Sequence, residues 1–122
     1  MTTVPDASVV ICCYTEERWD DLCAAIDSVR AQTRTPGEII LVTDHAPELA
    51  LRLRATHGDV EVIENCGPRG LSGARNTGIA AARHAIVAFL DDDAVAEPGW
   101  LAALSAPFAR PDVAGVGGRV VP

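Results

Sequence analysis

Short apolar runs alternate along this chain with amphipathic stretches, and that alternation limits the possible folds more than any single residue does. Ser8 to Cys13 (SVVICC) is continuous and rich in β-branched residues, the pattern of a strand covered on both faces. Trp19, Leu22, Ile26 and Val29 then recur at helical steps, with Glu16 and Glu17 near the positive N-terminal end. Glu38 to Val42 (EIILV) predicts a second strand. Pro47 suits the first turn of a helix running to about His57, which Gly58 can end. Asp59 to Ile63 (DVEVI) alternates and reads as a shorter third strand nearer the sheet edge.

Gly70 to His84 is Ala-rich and helical, and Ala85 to Leu90 (AIVAFL) is a fourth buried strand. Pro98 opens a short helix through Trp100, Leu101 and Leu104, which Pro107 is expected to end. Asp112 to Val116 (DVAGV) is expected to begin a fifth strand. Strands and helices in strict alternation predict an α/β fold: a Rossmann-like parallel sheet with helices on both faces, joined by right-handed crossovers.

Composition narrows the partners. With 122 residues the chain forms one domain, and 48% apolar residues suffice for a closed core. The net charge is −7 and the ten basic residues are scattered, so the basic face that nucleic acid requires is missing. No basic segment followed by an apolar stretch marks a signal peptide, and the longest apolar run is too short to span a bilayer. The four cysteines, Cys12, Cys13, Cys23 and Cys66, have no C-x-x-C spacing. They read as small buried hydrophobes in a reducing cytosol, so the expected location is cytoplasmic.

In an open parallel sheet, ligands bind outside the carboxyl ends of the strands. Polar residues gather there: Tyr14-Thr15-Glu16-Glu17 after the first strand, Thr43-Asp44-His45 after the second, Glu64-Asn65-Cys66-Gly67 after the third, and Asp91-Asp92-Asp93 after the fourth. Three adjacent carboxylates repel one another unless a cation or a donor-rich ligand compensates. A hard divalent ion, Mg²⁺ or Mn²⁺, takes one or two carboxylates together with phosphate oxygens. In an extended segment Asp91 and Asp93 point the same way and can share such an ion. The plainer reading of the triplet is a solvated acidic turn ahead of Pro98.

Arg75 falls between Leu71 and Ile79 on one helical stripe, so it is expected on an apolar face near a helix N-terminus. There it needs an anion, either a ligand or one of the aspartates, because an unpaired buried guanidinium is costly. Pro68 to Gly73 is a flexible approach to that helix but lacks the Gly-Lys-Ser/Thr ending of a P-loop. Tyr14 can stack on a base or belong partly to the core. Asp44 can accept from a base or ribose donor, or close an Asx-turn ahead of Pro47. His45 and His84 have no partners at metal spacing and read as surface residues. Ser72 has no elbow motif or local His, which argues against nucleophilic catalysis.

Taken in order, SVVICCYTEE, EIILVTDHA, GLSGARNTGIAAA and AIVAFLDDDAVAEPGWL resemble the nucleotide-binding half of the family 2 glycosyltransferases, whose fold is the Rossmann-like GT-A type. The likeness covers nearly the whole chain, and its last two motifs carry most of the specificity. It implies that Tyr14 and Asp44 contact a nucleotide base, that Arg75 lies on the nucleotide side of the pocket, and that Asp91 and Asp92 face ribose and diphosphate. It further implies that Asp93 binds the metal bridging the phosphates. Thr43 stands where the family has an acid, and His45-Ala46 where it has Gly-Ser.

The expected partners are therefore a nucleotide sugar, UDP-linked by default, and an unidentified acceptor. The family's catalytic base lies beyond the equivalent of Val121, so the chain is expected to be a donor-binding portion, with the acceptor and base portion absent and little turnover alone. A non-catalytic nucleotide-binding or assembly module of the same fold is the main alternative. A phosphatase-like fold ranks last, because its Asp nucleophile comes after the first strand, where this chain has Tyr14. A truncated sheet edge leaves room for a homodimer.

Overall fold

Strand β1 (Ala7–Cys13) is buried along almost its whole length, as its unbroken apolar run demands. A computed structural model describes residues 4–117 and places β1 inside a four-stranded sheet of order β3-β2-β1-β4. The other strands are β2 (Glu38–Asp44), β3 (Glu61–Asn65) and β4 (Ile86–Phe89), and every pairing is parallel. Four helices alternate with them: α1 (Trp19–Arg30), α2 (Pro47–Thr56), α3 (Leu71–Ala81) and α4 (Trp100–Ser105). Two 3₁₀ turns, Glu16–Arg18 and Ala106–Ala109, precede α1 and succeed α4.

The strand period of two sorts side chains between two cores. On one face Val9, Ile11 and Cys13 meet Leu22, Ile26 and Val29 of α1, Leu49 and Leu53 of α2, and Leu101 of α4. On the other face Val10, Ile40 and Val42 meet Ala74 of α3. Each fully buried Leu, Ile or Val contributes roughly 1.5–3 kcal/mol of transfer free energy. Helix α3 sits close because it carries small residues: a Cβ added at Gly78 would lie 2.6 Å from a Val10 methyl.

The chain moves outward from β1 through β2 to β3, then returns past β1 to place β4 on its opposite side. The boundary between β1 and β4 is thus the topological switch point, where the loops after neighbouring strands diverge and leave a crevice. The segment between β4 and α4 is tied back to α1 and to Gln32 just beyond it. Gln32 donates to Glu97 O at 2.7 Å and accepts from Leu101 N at 2.9 Å, and Ala96 N donates to the Ser28 hydroxyl at 3.0 Å.

Several expectations need correction. Residues 113–117 form no strand; they run irregular and mostly exposed, with Gly115 and Gly117 offering no side chain to pack. Strand β3 begins two residues later than its alternation implied. Val60 N closes a turn on His57 O at 3.2 Å, and Arg30 pairs with Asp59, drawing that residue toward α1. Pro107 lies inside the second 3₁₀ turn rather than ending α4, which stops at Ser105. Of the cysteines only Cys13 is buried; Cys12 and Cys23 are half-buried, and Cys66 is exposed on the loop after β3. His84 is half-buried, its ring where a Cβ on Gly37 would fall.

Candidate functional site

A cleft of about 560 Å³ opens at the carboxyl ends of β1, β2 and β4, over the switch point. Tyr14 and Arg18 stand on the β1 side and Asp91, Asp92 and Asp93 on the β4 side. Asp44, His45 and Arg69 to Leu71 form the third wall, with Arg75 above the floor. All five of the expected substrate-contacting residues and both expected metal ligands thus line one cavity.

The aspartates leave β4 in a turn, not in the extended segment expected from the sequence. Leu90 N still bonds Val10 O at 3.1 Å, but Ala94 N then closes back on Asp91 O at 3.1 Å. Asp91 and Asp93 are consequently exposed at the rim while Asp92 turns inward and retains 7% exposure. Burial pushes the Asp92 carboxyl above its ordinary range, and its like-charged neighbours add to that. Arg18, which donates to it at 3.2 Å, pulls in the opposite sense without prevailing.

Among the described residues no group of three His, Cys, Asp or Glu side chains converges on a metal position. Two exposed carboxylates on one turn still suit a hard cation that completes its shell with phosphate oxygens and water. The donor set fits an ion that arrives with a phosphate ligand, not a permanently caged one.

Arg75 departs from the sequence expectation. The stripe it shares with Leu71 and Ile79 faces away from the core: those residues are 54% and 50% exposed. Helix α3 buries Ala74 and Gly78 instead, because the closest approach to the sheet requires the smallest side chains. Arg75 therefore needs no buried counter-ion. Its guanidinium lies 5.4 Å from the Phe89 ring centroid and 4.0 Å from Asp91, a long and open ion pair worth little. The guanidinium remains available to a ligand in the cleft.

Asp44 closes no Asx-turn. One carboxylate oxygen accepts from Asn65 Nδ2 at 2.9 Å and the other from Gly70 N at 2.9 Å, pinning the loop between β3 and α3. Gly70 takes φ = 128°, a region that residues with a Cβ rarely adopt, which lets its N–H turn toward the carboxylate. Asn65 is the hub of that loop. Besides Asp44 it bonds Pro68 O, Gly67 N and the Thr77 hydroxyl. His45 holds the left-handed φ of 52°, and its Nε2 lies 2.6 Å from Gly67 O. That backbone conformation suits glycine, and the ring contact offsets part of its cost.

Tyr14 is 56% exposed and lines the cleft, with the Arg18 guanidinium carbon 5.3 Å from its ring centroid. Its hydroxyl accepts from Arg18 Nη2 at 3.0 Å. Sequence reasoning missed Arg18, Asn65 and Arg69. Arg18 sits five residues past β1, and the signal for it was the 3₁₀ turn: Thr15 Oγ1 caps that turn by accepting from Glu17 N at 3.1 Å. Asn65 stood in the polar group after β3, but its role depends on contacts that only the fold creates. Arg69 lies in the Pro68–Gly73 approach, whose lack of a P-loop ending left it without an assigned role.

The family model described as glycosyl transferase family 2 matches residues 8–122. A glucosyl-dolichyl phosphate glucuronosyltransferase of Haloferax volcanii is 39% identical over 119 residues, covering 94% of this chain and 38% of that protein. A pre-mycofactocin glycosyltransferase of Mycobacterium tuberculosis is 45% identical over 65 residues, covering 53% of this chain and 14% of that protein. Among solved structures, the mannosyltransferase PcManGT from Pyrobaculum calidifontis, in complex with GDP-Man and Mn²⁺, superposes with a TM-score of 0.61 at 26% identity. That alignment covers 77% of this chain and 29% of the other. TarS from S. aureus gives a TM-score of 0.65 at 22% identity, covering 96% and 38%, a likeness of fold. The chain thus spans 38% or less of each of these relatives. Among the described residues no helix is long and apolar enough to cross a membrane.

Proposed function

The chain belongs to glycosyltransferase family 2, and from that premise we propose that it is the portion of such an enzyme that holds the nucleotide-diphosphate sugar. The observation that carries this reading is the cleft at the switch point. It is lined by the exposed Tyr14 and by the exposed carboxylates of Asp91 and Asp93, with Arg18, Arg69 and Arg75 beside them. Arg69 and Arg75 can meet an anion there, and the four aspartates lining the same cavity make a bridging cation part of that fit.

Tyr14 stacks on the base, and Asp44, whose oxygens each keep a second lone pair, accepts from a base or ribose N–H or O–H. Arg75 and the inward Asp92 flank ribose and diphosphate. Asp91 and Asp93 are the residues that would hold Mg²⁺ or Mn²⁺ when it arrives with the phosphates. When bound, the cation supplies charge neutralisation for the departing nucleoside diphosphate. What this chain's residues do is orient the donor, so that the sugar carbon faces the acceptor. The reaction is transfer of a hexose-like sugar, and the base that activates the acceptor belongs to sequence outside this chain. The Pyrobaculum enzyme's GDP-Man and Mn²⁺ support a nucleotide sugar and a divalent ion here.

Calorimetric titration with UDP, and with GDP for comparison, tests the reading. Binding is expected to strengthen at least about tenfold with Mn²⁺ and to lose that gain in Asp93→Ala. Binding indifferent to both the metal and the substitution would remove it.

A further inference from the structure

Arg18 touches both sides of the cleft. Nη1 donates to Asp92 at 3.2 Å and Nη2 to the Tyr14 hydroxyl at 3.0 Å, while the guanidinium carbon lies 5.3 Å from the Tyr14 ring centroid. Arg18 and Asp92 are 74 residues apart in sequence, so this contact joins the loop after β1 to the turn after β4. The segment after β4 is also tied to α1 and Gln32, but farther along, at Ala96 and Glu97; Arg18 makes the tie at the cleft itself.

Three consecutive carboxylates in one turn repel one another, and Asp92 lies inward between two that do not. Arg18 supplies the positive charge within hydrogen-bond reach of that inward acid. A planar guanidinium can serve two acceptors in fixed directions at once, which a lysine ammonium on a flexible stem does poorly. The short 3₁₀ turn that carries Arg18 directly abuts α1, so its backbone is held by a packed helix.

We propose that Arg18 is a positioning residue for the donor: it fixes Tyr14 and the Asp91–Asp93 turn at one separation, so that contacts to base and diphosphate form together. This rests on the donor-site reading above. Arg18 itself acts through those residues and not by binding phosphate.

Two measurements on the full chain decide it. The first uses no ligand: amide hydrogen exchange at Ala94, whose N–H closes the turn on Asp91 O at 3.1 Å. Arg18→Met should speed exchange there by about tenfold while β1 and β2 amides stay protected, and Arg18→Lys should recover only part. An unchanged Ala94 amide in Arg18→Met overturns the proposal, whatever the nucleotide does. The second is titration with UDP and Mn²⁺. Arg18→Met should weaken binding by about tenfold, and Tyr14→Phe, which keeps the ring but removes the acceptor hydroxyl, by less.

Introduced into Asp92→Asn, Arg18→Met should add little further loss, because the contact it breaks is already weakened. Additive losses overturn the proposal and make Arg18 a direct phosphate ligand. Failure of the donor-site reading looks different: the unaltered protein would bind neither UDP nor GDP, while Ala94 exchange still responded to Arg18. Arg18→Gln replaces the Met variant if a thermal melt shows that the latter does not fold.

Discussion

Asp92 is the residue at which folding and the proposed donor binding make opposite demands. Its carboxyl is raised chiefly by burial, so the folded state favours the protonated form. A raised carboxyl contributes stability below its unfolded value, roughly 3.9, and that contribution disappears as pH rises through the folded value. At neutral pH the ionised Asp92 therefore opposes folding. Asp92→Asn should raise the melting temperature at pH 7, with the gain vanishing in acid, while binding of UDP with Mn²⁺ falls; Arg18, 41% exposed, tolerates the lost pairing. Melts at several pH values together with titration check both halves. The thiols offer a second residue-scale test. Burial pushes Cys12 up to about 11 and Cys13 up to about 12, the latter with its S–H directed at Val42 O. Iodoacetamide near neutral pH should modify exposed Cys66 first and leave Cys13 untouched until the chain unfolds, as peptide mapping would show.

At the scale of elements, α3 and the loop before it carry the tightest tolerances. Gly78→Ala would drive a methyl to 2.6 Å from Val10, and either the helix or the strand must shift. A loss of about 1–3 kcal/mol is expected by chemical denaturation. Asn65→Ala would leave Gly67 N without its acceptor and Asp44 Oδ1 without its donor, while the Thr77 hydroxyl keeps Gly73 O and Asp44 keeps Gly70 N, at a cost of about 2 kcal/mol. It should also loosen Gly70, which exchange at that amide would reveal. Strands and helices were largely legible in the sequence because burial imposes a period: β1, β2 and α2 begin or end within two residues of their apolar patterns. What misled was the Leu71, Arg75 and Ile79 stripe. An apolar stripe implies a covered face only when the helix lacks smaller residues, and Ala74 with Gly78 permits a closer approach on the adjoining face. The inward turn of Asp92 was equally hidden, since its cause is the turn closed by Ala94 and a guanidinium from a distant loop.

Over the whole molecule, the end of the sheet opposite the cleft bears its own charged cluster. Glu38 accepts from the Ser8 hydroxyl at 2.6 Å and from Arg83 N at 2.7 Å, joining β1, β2 and the segment after α3. Burial alone would raise its carboxyl, but those hydrogen bonds and the Arg83 charge outweigh it and hold the group below its ordinary value. A depressed carboxyl contributes stability above its unfolded value, roughly 4.3, and loses it as pH falls through the folded one. Melting temperatures of the unaltered chain and Glu38→Gln should therefore differ most near neutrality and converge in acid. The opposite end has a consequence for time as well as for binding. Strands β1 to β3 pair with their neighbours in sequence, whereas β4 must cross over and dock beside β1. If β4 is the last strand to dock, a refolding chain acquires most of its sheet before the cleft's two walls meet, and the proposed nucleotide site forms only then. Pulse-labelled exchange should find β2 amides protected before Ala94, which makes ligand capture a clock for the last step of assembly.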